Sequence, residues 1–208
     1  MKPSRKPTAR YHHGDLRNAA LAAAERILQK EGVEALTLRR VAAQVRVSPM
    51  ALYNHFEGKG ALLVALAEAG FVALREAILQ AAPNELAPLE RLQRGAVAYV
   101  LFGVEDRERF ALMFGGVGEA ILHEPKLRDA VLGAFATLVD CLAECVRAGL
   151  LRGDPIEAER TVWAAAHGYA ALWNSVPMLM RGERSQIRQN AQRMVMSVLD
   201  GLRVPPKA

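Results

Sequence analysis

Cysteine is scarce in this chain, and so is everything that would mark a cofactor, a metal or a membrane. Only two of the 208 residues are cysteine, Cys141 and Cys145. They lie four apart on one predicted helix and read as reduced packing residues, with a redox switch as the alternative. Nothing near them in sequence clearly lowers a thiol pKa. No apolar run approaches the roughly eighteen residues that a membrane span needs. The N-terminus is basic but has no apolar core or cleavage site, so it does not read as a secretory signal, and the cytoplasm is the expected compartment. No metal-ligand spacing, nucleophile–base motif or cofactor fingerprint appears, so no catalytic residue, metal or cofactor is expected. The neighbouring His12 and His13 have no further ligands beside them. Gly115, Gly116 and Gly118 follow no strand and precede no Lys-Ser/Thr, which reads as a flexible joint rather than a phosphate loop. No strand pattern occurs anywhere.

What is present is a folded-protein composition, 51% hydrophobic and 24% charged, in a chain long enough for one small domain and one larger. The net charge of +5 is uneven. Residues 1–65 hold 11 Lys/Arg against 5 Asp/Glu, while residues 66–208 hold 16 against 17. The excess positive charge therefore sits in the first third, where it suits neutralisation of nucleic-acid phosphates.

That third contains the stretch around which the chain is organised, TLRRVAAQVRVSPMALYNHFEGKGALL, residues 37–63. Thr37 is a good N-cap, and Val41, Ala42 and Val45 make one buried stripe behind it. Arg46-Val47 forms the turn. Ser48 caps a second short helix with Pro49 at its first position, where the missing N–H is no loss. Leu52 and Phe56 face the core, which leaves Pro49, Met50, Tyr53 and Asn54 outward beside His55. Two short helices held at a fixed angle, the second one exposed, form a helix-turn-helix, whose second helix enters the DNA major groove.

The pattern Thr37-x-Arg39-x-Val41-Ala42, then Val47-Ser48, then Leu52-Tyr53-x-His55-Phe56-x-x-Lys59-x-x-Leu62 resembles the DNA-binding domain of the tetracycline-repressor (TetR) family. The resemblance implies an all-helical, dimeric transcription regulator, usually a repressor, that leaves a palindromic DNA operator when a small ligand binds. It implies that Thr37 donates to a phosphate while capping its helix, and that Tyr53, His55 and Lys59 hold the backbone. Lys59 stands at a helix N-terminus, which suits an anion. Base reading falls to Arg39 or Arg40, Pro49, Met50, Ala51 and Asn54, since Arg pairs with guanine, Asn with adenine and Met packs on a thymine methyl. One position departs from the family, which usually has glycine where this chain has Arg46. A left-handed residue there would cost Arg roughly 1–2 kcal/mol, and a phosphate contact would compensate.

Around this stretch the reading is an all-α chain of about nine helices. Residues 1–13 are a flexible basic arm whose Lys2, Arg5, Lys6 and Arg10 either follow DNA or form a solvated tail. Residues 14–60 are the helix-turn-helix domain, with a first helix from about Asp15 to Glu31 and an apolar stripe of Ala19, Ala20, Ala23, Ala24, Ile27 and Leu28. Residues 61–204 are a ligand-binding and dimerisation domain. Its helices run from Lys59 to about residue 80, from Pro88 to about 102, over about 108–114, from Pro125 to about 148, from Pro155 until Pro177 disturbs it, and over about 185–202. The last two helices are expected to pair with a second copy in a four-helix bundle.

Trp163-Ala164-Ala165-Ala166-His167-Gly168, with Leu172-Trp173 beyond and Phe110-Ala111-Leu112-Met113-Phe114-Gly115 upstream, is similar to the Trp-His-Gly type of C-terminal domain in one branch of that family. His167 reads either as a polar handle in an effector pocket or as a hydrogen-bonded core histidine, with Gly168 at a close helix crossing. Tyr99, Phe102, Phe110, Met113, Phe114, Trp163 and Trp173 are the other pocket candidates. Two further classes share part of this pattern. One is a ligand-independent DNA-binding protein, and the other an enzyme, with Cys145 and His167 as a conceivable dyad.

Overall fold

The computed structural model describes residues 13–176, 178 and 182–204. The basic arm up to His12, Pro177 and the last four residues lie outside the described residues. Ten α-helices are present among those described, and two compact units divide the chain, Met1–Leu66 and Ala67–Ala208.

In the first unit α1 (His13–Glu31) begins two positions before Asp15 and lays Ala20, Ala23, Ala24, Ile27 and Leu28 into the core, with Ala19 half-buried. Gly32 follows at φ +78°, a conformation that favours glycine, and a 3₁₀ turn (Val33–Ala35) delivers Leu36 to the core. Then come α2 (Leu38–Val45) and α3 (Pro49–Tyr53). Val41, Ala42, Leu52 and Phe56 are buried as their spacing predicts, whereas Val45 is half-buried and Leu38 takes the remaining core position. The Arg17 guanidinium covers the Phe56 ring at 5.5 Å.

Helix α4 (Lys59–Ala81) carries the chain on into the second unit. There α5 (Pro88–Glu105) is the central helix, packed by α8 (Pro125–Arg147), α9 (Pro155–Ser175) and α10 (Arg184–Leu202). Pro88, Pro125 and Pro155 each open their helix, where proline is tolerated best. Close approach is provided at Gly103 of α5. A Cβ there would stand 2.8 Å from the Phe110 ring and 3.1 Å from Ala170 of α9. Gly168, expected at a helix crossing, has nothing within 4 Å of its Cβ position, so the crossing glycine is Gly103.

Between α5 and α8 the chain is more broken than its periodicity predicts. Helix α6 (Arg107–Ala111) is capped by Asp106 and passes into a π turn (Leu112–Gly116), and α7 (Ala120–His123) is a further short helix. Gly115 and Gly116 lie within the π turn, so the glycine cluster widens the helix before breaking it. An isolated antiparallel bridge joins Leu151 to Arg203, with Arg152 N–H donating to the Leu202 carbonyl at 2.9 Å. No helix among the described residues is long and apolar enough to cross a membrane.

Candidate functional site

Each unit has its own candidate. In the first, two side-chain caps fix the short helices. Thr37 Oγ1 accepts from Arg40 N–H at 3.2 Å and Ser48 Oγ accepts from Ala51 N–H at 3.3 Å. A five-residue helix cannot persist alone, so α3 is held by its cap and by buried Leu52. This leaves Met50 71% and Tyr53 51% exposed, an unusual amount of apolar surface on so short a helix. Pro49 and Asn54 are exposed with them, while Ala51 and His55 are half-buried.

The flanking charge is all of one sign, since residues 37–56 contain no Asp or Glu. The structure separates the two arginines of α2. Arg40 reaches both oxygens of Glu31 at 2.5 Å, while Arg39 is exposed and forms no ion pair among the described residues. Arg46 is exposed and left-handed, φ 59° and ψ 43°, so the strain foreseen at this turn is present. Lys59 stands at the first position of α4, after Gly58, with no acidic residue in that first turn.

In the second unit, a cavity of about 250 Å³ opens between α4, α5, α8 and α9. Ile78, Leu79, Leu92, Val162 and Trp163 give it an apolar wall. Its polar wall is built around Arg91, which is ion-paired with Glu144, with exposed Arg75 and Asp140 also lining it. Cys141 lines it as well and is almost completely buried.

Only Tyr99 and Trp163 of the eight aromatic, methionine and histidine pocket candidates line this cavity. Behind them is an aromatic cluster. The Trp163 indole N–H donates to the Tyr99 hydroxyl at 3.1 Å, and that hydroxyl lies 2.8 Å from His167 Nδ1. Indole N–H can only donate, so the Tyr99 oxygen accepts from it and bridges the indole to the imidazole. Burial lowers the His167 pKa and raises that of Tyr99, so both remain neutral near pH 7. Phe110 stacks on the imidazole at 5.0 Å and Phe114 meets it edge-on at 4.7 Å. His167 is thus a half-buried, hydrogen-bonded histidine within the aromatic cluster.

The remaining candidates are placed away from the cavity wall. Met113 is buried against Gly70, Phe102 lies under the Arg109 guanidinium at 5.8 Å, and Trp173 stacks on Tyr169 at 6.4 Å. A Cys145–His167 dyad does not form. Cys145 is fully buried, while His167 Nδ1 lies 2.8 Å from the Tyr99 hydroxyl. Among the described residues no group of three or more His, Cys, Asp or Glu could hold a metal.

The sequence does not announce the polar lining. Arg91, Thr137, Asp140, Cys141 and Glu144 read singly as solvated helix faces or packing. The available signal was their spacing, since 137, 140, 141 and 144 recur at i, i+3, i+4 and i+7 on one face of α8.

Comparison with known proteins bears on both units. Residues 20–66 match the family model described as bacterial regulatory proteins, tetR family, and residues 92–201 match that described as tetracyclin repressor-like, C-terminal domain. The chain is 26% identical over 204 residues to the HTH-type transcriptional repressor BepR of Brucella suis biovar 1 (strain 1330), covering 92% of this chain and 93% of that one. It is 49% identical over 53 residues to the tetracycline repressor protein class C of Escherichia coli, which is 26% of this chain and 24% of that protein. A solved protein of unknown function from Rhodococcus sp. RHA1 superposes with a TM-score of 0.80 at 33% identity, over 95% of this chain and 100% of that one.

Proposed function

The chain belongs to the tetR family of bacterial regulatory proteins, DNA-binding regulators of transcription, and from that premise we propose a repressor released from a palindromic operator by a small molecule. The observation that carries the DNA half of this reading is α3, a capped helix whose outer face is Pro49, Met50, Tyr53 and Asn54 in a stretch without acidic residues.

In this reading Arg39, Pro49, Met50, Ala51 and Asn54 face base edges, while Thr37, Arg46, Tyr53, His55 and Lys59 hold phosphates and set the register. Ser48 acts through the cap it supplies. Arg40 is engaged by Glu31, which favours Arg39 of the two as the base reader. Two copies reading half-sites about one DNA turn apart (roughly 34–36 Å) require a dimer. We assign its interface to α9 and α10, whose Ile156, Leu172 and Met196 stay exposed in the single chain. We also assign the second unit to the Trp-His-Gly type on residues 163, 167 and 168, and place the protein in the cytoplasm with its DNA.

The cavity supports the effector half. At about 250 Å³ it is small, apolar on one wall and charged on the other, the construction of a small-molecule site. An effector there shifts the domain between two arrangements, of which one no longer matches the half-site spacing.

The deciding experiment is selection of random-sequence duplexes by the purified protein, with a salt titration of the enriched site. A palindrome with half-sites one turn apart is the expected result. Weak binding with no enriched sequence would reduce the interaction to backbone attraction and overturn the reading.

A further inference from the structure

We propose that the cavity takes a small monocarboxylate with a compact apolar body, and that its carboxylate displaces Glu144 from Arg91. The Arg91–Glu144 pair is then the resting state of the site, with a side chain of the protein standing where the guest's head group goes. The inference deepens the effector reading above and rests on it for the consequence at DNA.

The two partners of that pair are unequal. Arg91 Nη2, from α5, donates to Glu144 Oε2, from α8, and the Arg91 side chain is 13% exposed where that of Glu144 is 35%. An ion pair withdrawn from water contributes little net stability, yet stripping its buried member of a counter-charge is costly. Arg91 therefore requires an anion, whereas Glu144 does not require Arg91. Glu144 can be hydrated where it stands, and exposed Arg147, three positions on, offers it an i, i+3 partner. Arg91 also stands in the first turn of α5 and Glu144 in the last turn of α8, the ends at which a cation and an anion respectively are disfavoured. Neither charge is placed for the stability of its own helix.

The remaining charges decide the sign of the guest. Arg75 from α4 and Asp140 from α8 line the cavity and are exposed at its edge, where their charges balance. A carboxylate that takes Arg91 while Glu144 turns out to water leaves the charge inside the cavity unchanged. An ammonium guest would have to take Glu144 and leave Arg91 unpaired. The guanidinium also presents a planar fork suited to both oxygens of a carboxylate. Leu92, Val162 and Trp163 supply the wall for the apolar body. At about 250 Å³ the cavity lies below the roughly 300–1,000 Å³ of drug-sized ligand sites, so that body is a single ring or a short branched chain. The exchange removes a tie between α5 and α8 that a guest held by Arg91 alone does not replace, which gives the guest different contacts in the two arrangements of the domain.

The test is titration calorimetry of the full chain with phenylacetate, its neutral isostere 2-phenylacetamide and the cation phenethylamine, with benzoate and 3-methylbutanoate as two further carboxylates. Phenylacetate is expected to bind about tenfold tighter than the amide, and the amine weakest. Arg91→Gln should reduce phenylacetate to the level of the amide. Glu144→Gln removes the resident competitor, so it should strengthen phenylacetate binding and leave the amide unchanged; a purely structural pair would weaken both ligands in both variants. Equal binding of the amide, preference for the amine, or no binding of any of the carboxylates at millimolar concentration by the wild type overturns the inference whether or not a variant folds. Weaker phenylacetate binding by a folded Glu144→Gln protein overturns the displacement. A second arm adds phenylacetate to the wild-type protein on its enriched duplex, where loss of DNA affinity is expected and unchanged affinity overturns the effector role. Failure to enrich any duplex would instead sink the operator reading, and calorimetry would still decide what the cavity binds.

Discussion

Arg46 and Gly149 occupy the same position of the same helix-ending motif. After α2 the Val47 N–H reaches back to the Ala42 carbonyl at 3.0 Å and Arg46 N–H to Ala43 at 3.3 Å. After α8 Leu150 N–H reaches Cys145 and Gly149 N–H reaches Val146, both at 3.0 Å. Both residues are left-handed, with φ 59° and 68°. Glycine adopts this conformation without strain, and arginine does not.

Arg46→Gly should therefore stabilise the free protein. The relief of about 1–2 kcal/mol is partly offset by the extra freedom of glycine in the unfolded chain, about 0.4–1 kcal/mol. Urea unfolding measures the gain. If Arg46 holds a phosphate, the same variant binds its operator more weakly and with a salt slope smaller by about 0.9. Unchanged affinity and slope would remove Arg46 from the interface.

The two arginines of α2 should behave differently. Arg39→Ala is expected to weaken operator binding by about 1–3 kcal/mol and to relax selectivity at one base position. Arg40→Ala should leave selectivity unchanged, because its guanidinium is already engaged by Glu31. Equal loss of selectivity in both variants, in a competition between matched and mismatched duplexes, would contradict the division of roles.

Thr37→Ala should cost about 0.5–2 kcal/mol of stability through the lost cap and should also weaken DNA binding. Thr37→Ser keeps an oxygen to accept from Arg40 N–H and should retain most of both. Thermal unfolding alongside a binding titration separates the two effects.

His167 makes stability depend on pH in a defined direction. Its folded pKa lies below the unfolded value of roughly 6.5 because burial disfavours the charged ring. The unfolded chain therefore binds the proton more readily. The stability is complete above that unfolded value and is lost as pH falls below it toward the folded pKa. His167→Phe removes this component, so its unfolding midpoint should fall less steeply with acid than that of the wild type. Identical slopes would mean that His167 stays exposed enough to titrate normally.

Two glycines give opposite expectations. Gly103→Ala drives a methyl into the Phe110 ring and Ala170, and should cost about 1–3 kcal/mol through overpacking. Gly168→Ala meets nothing within 4 Å and should gain up to about 1 kcal/mol of helix propensity. Denaturant midpoints of the two variants check both signs.

What could be read in advance was local chemistry. Thr37 and Ser48 announce two helix starts by residue type, and Pro88, Pro125 and Pro155 announce three more, because caps and first-turn prolines act within a few positions. Leu52 and Phe56 follow from spacing alone. Less legible were the π turn at 112–116 and the short helix α7, where glycines weaken any periodic signal. The cavity was hardest, because its chemistry depends on partners far apart in sequence. Arg91 meets Glu144 fifty-three positions on, and Tyr99 meets His167 sixty-eight positions on.

Tyr99 and Trp163 form a single layer, with the cavity on one side and the His167 cluster behind them. Truncating either side chain would extend the cavity toward His167. Selection for a bulkier inducer thus has a short evolutionary path, in which a single substitution enlarges the chamber and leaves the helices that frame it in place. The liability of the same path is that the opened space brings a neutral imidazole into contact with whatever enters. A lineage that broadens its ligand range by this route acquires a proton-sensitive group in its recognition surface at the same step.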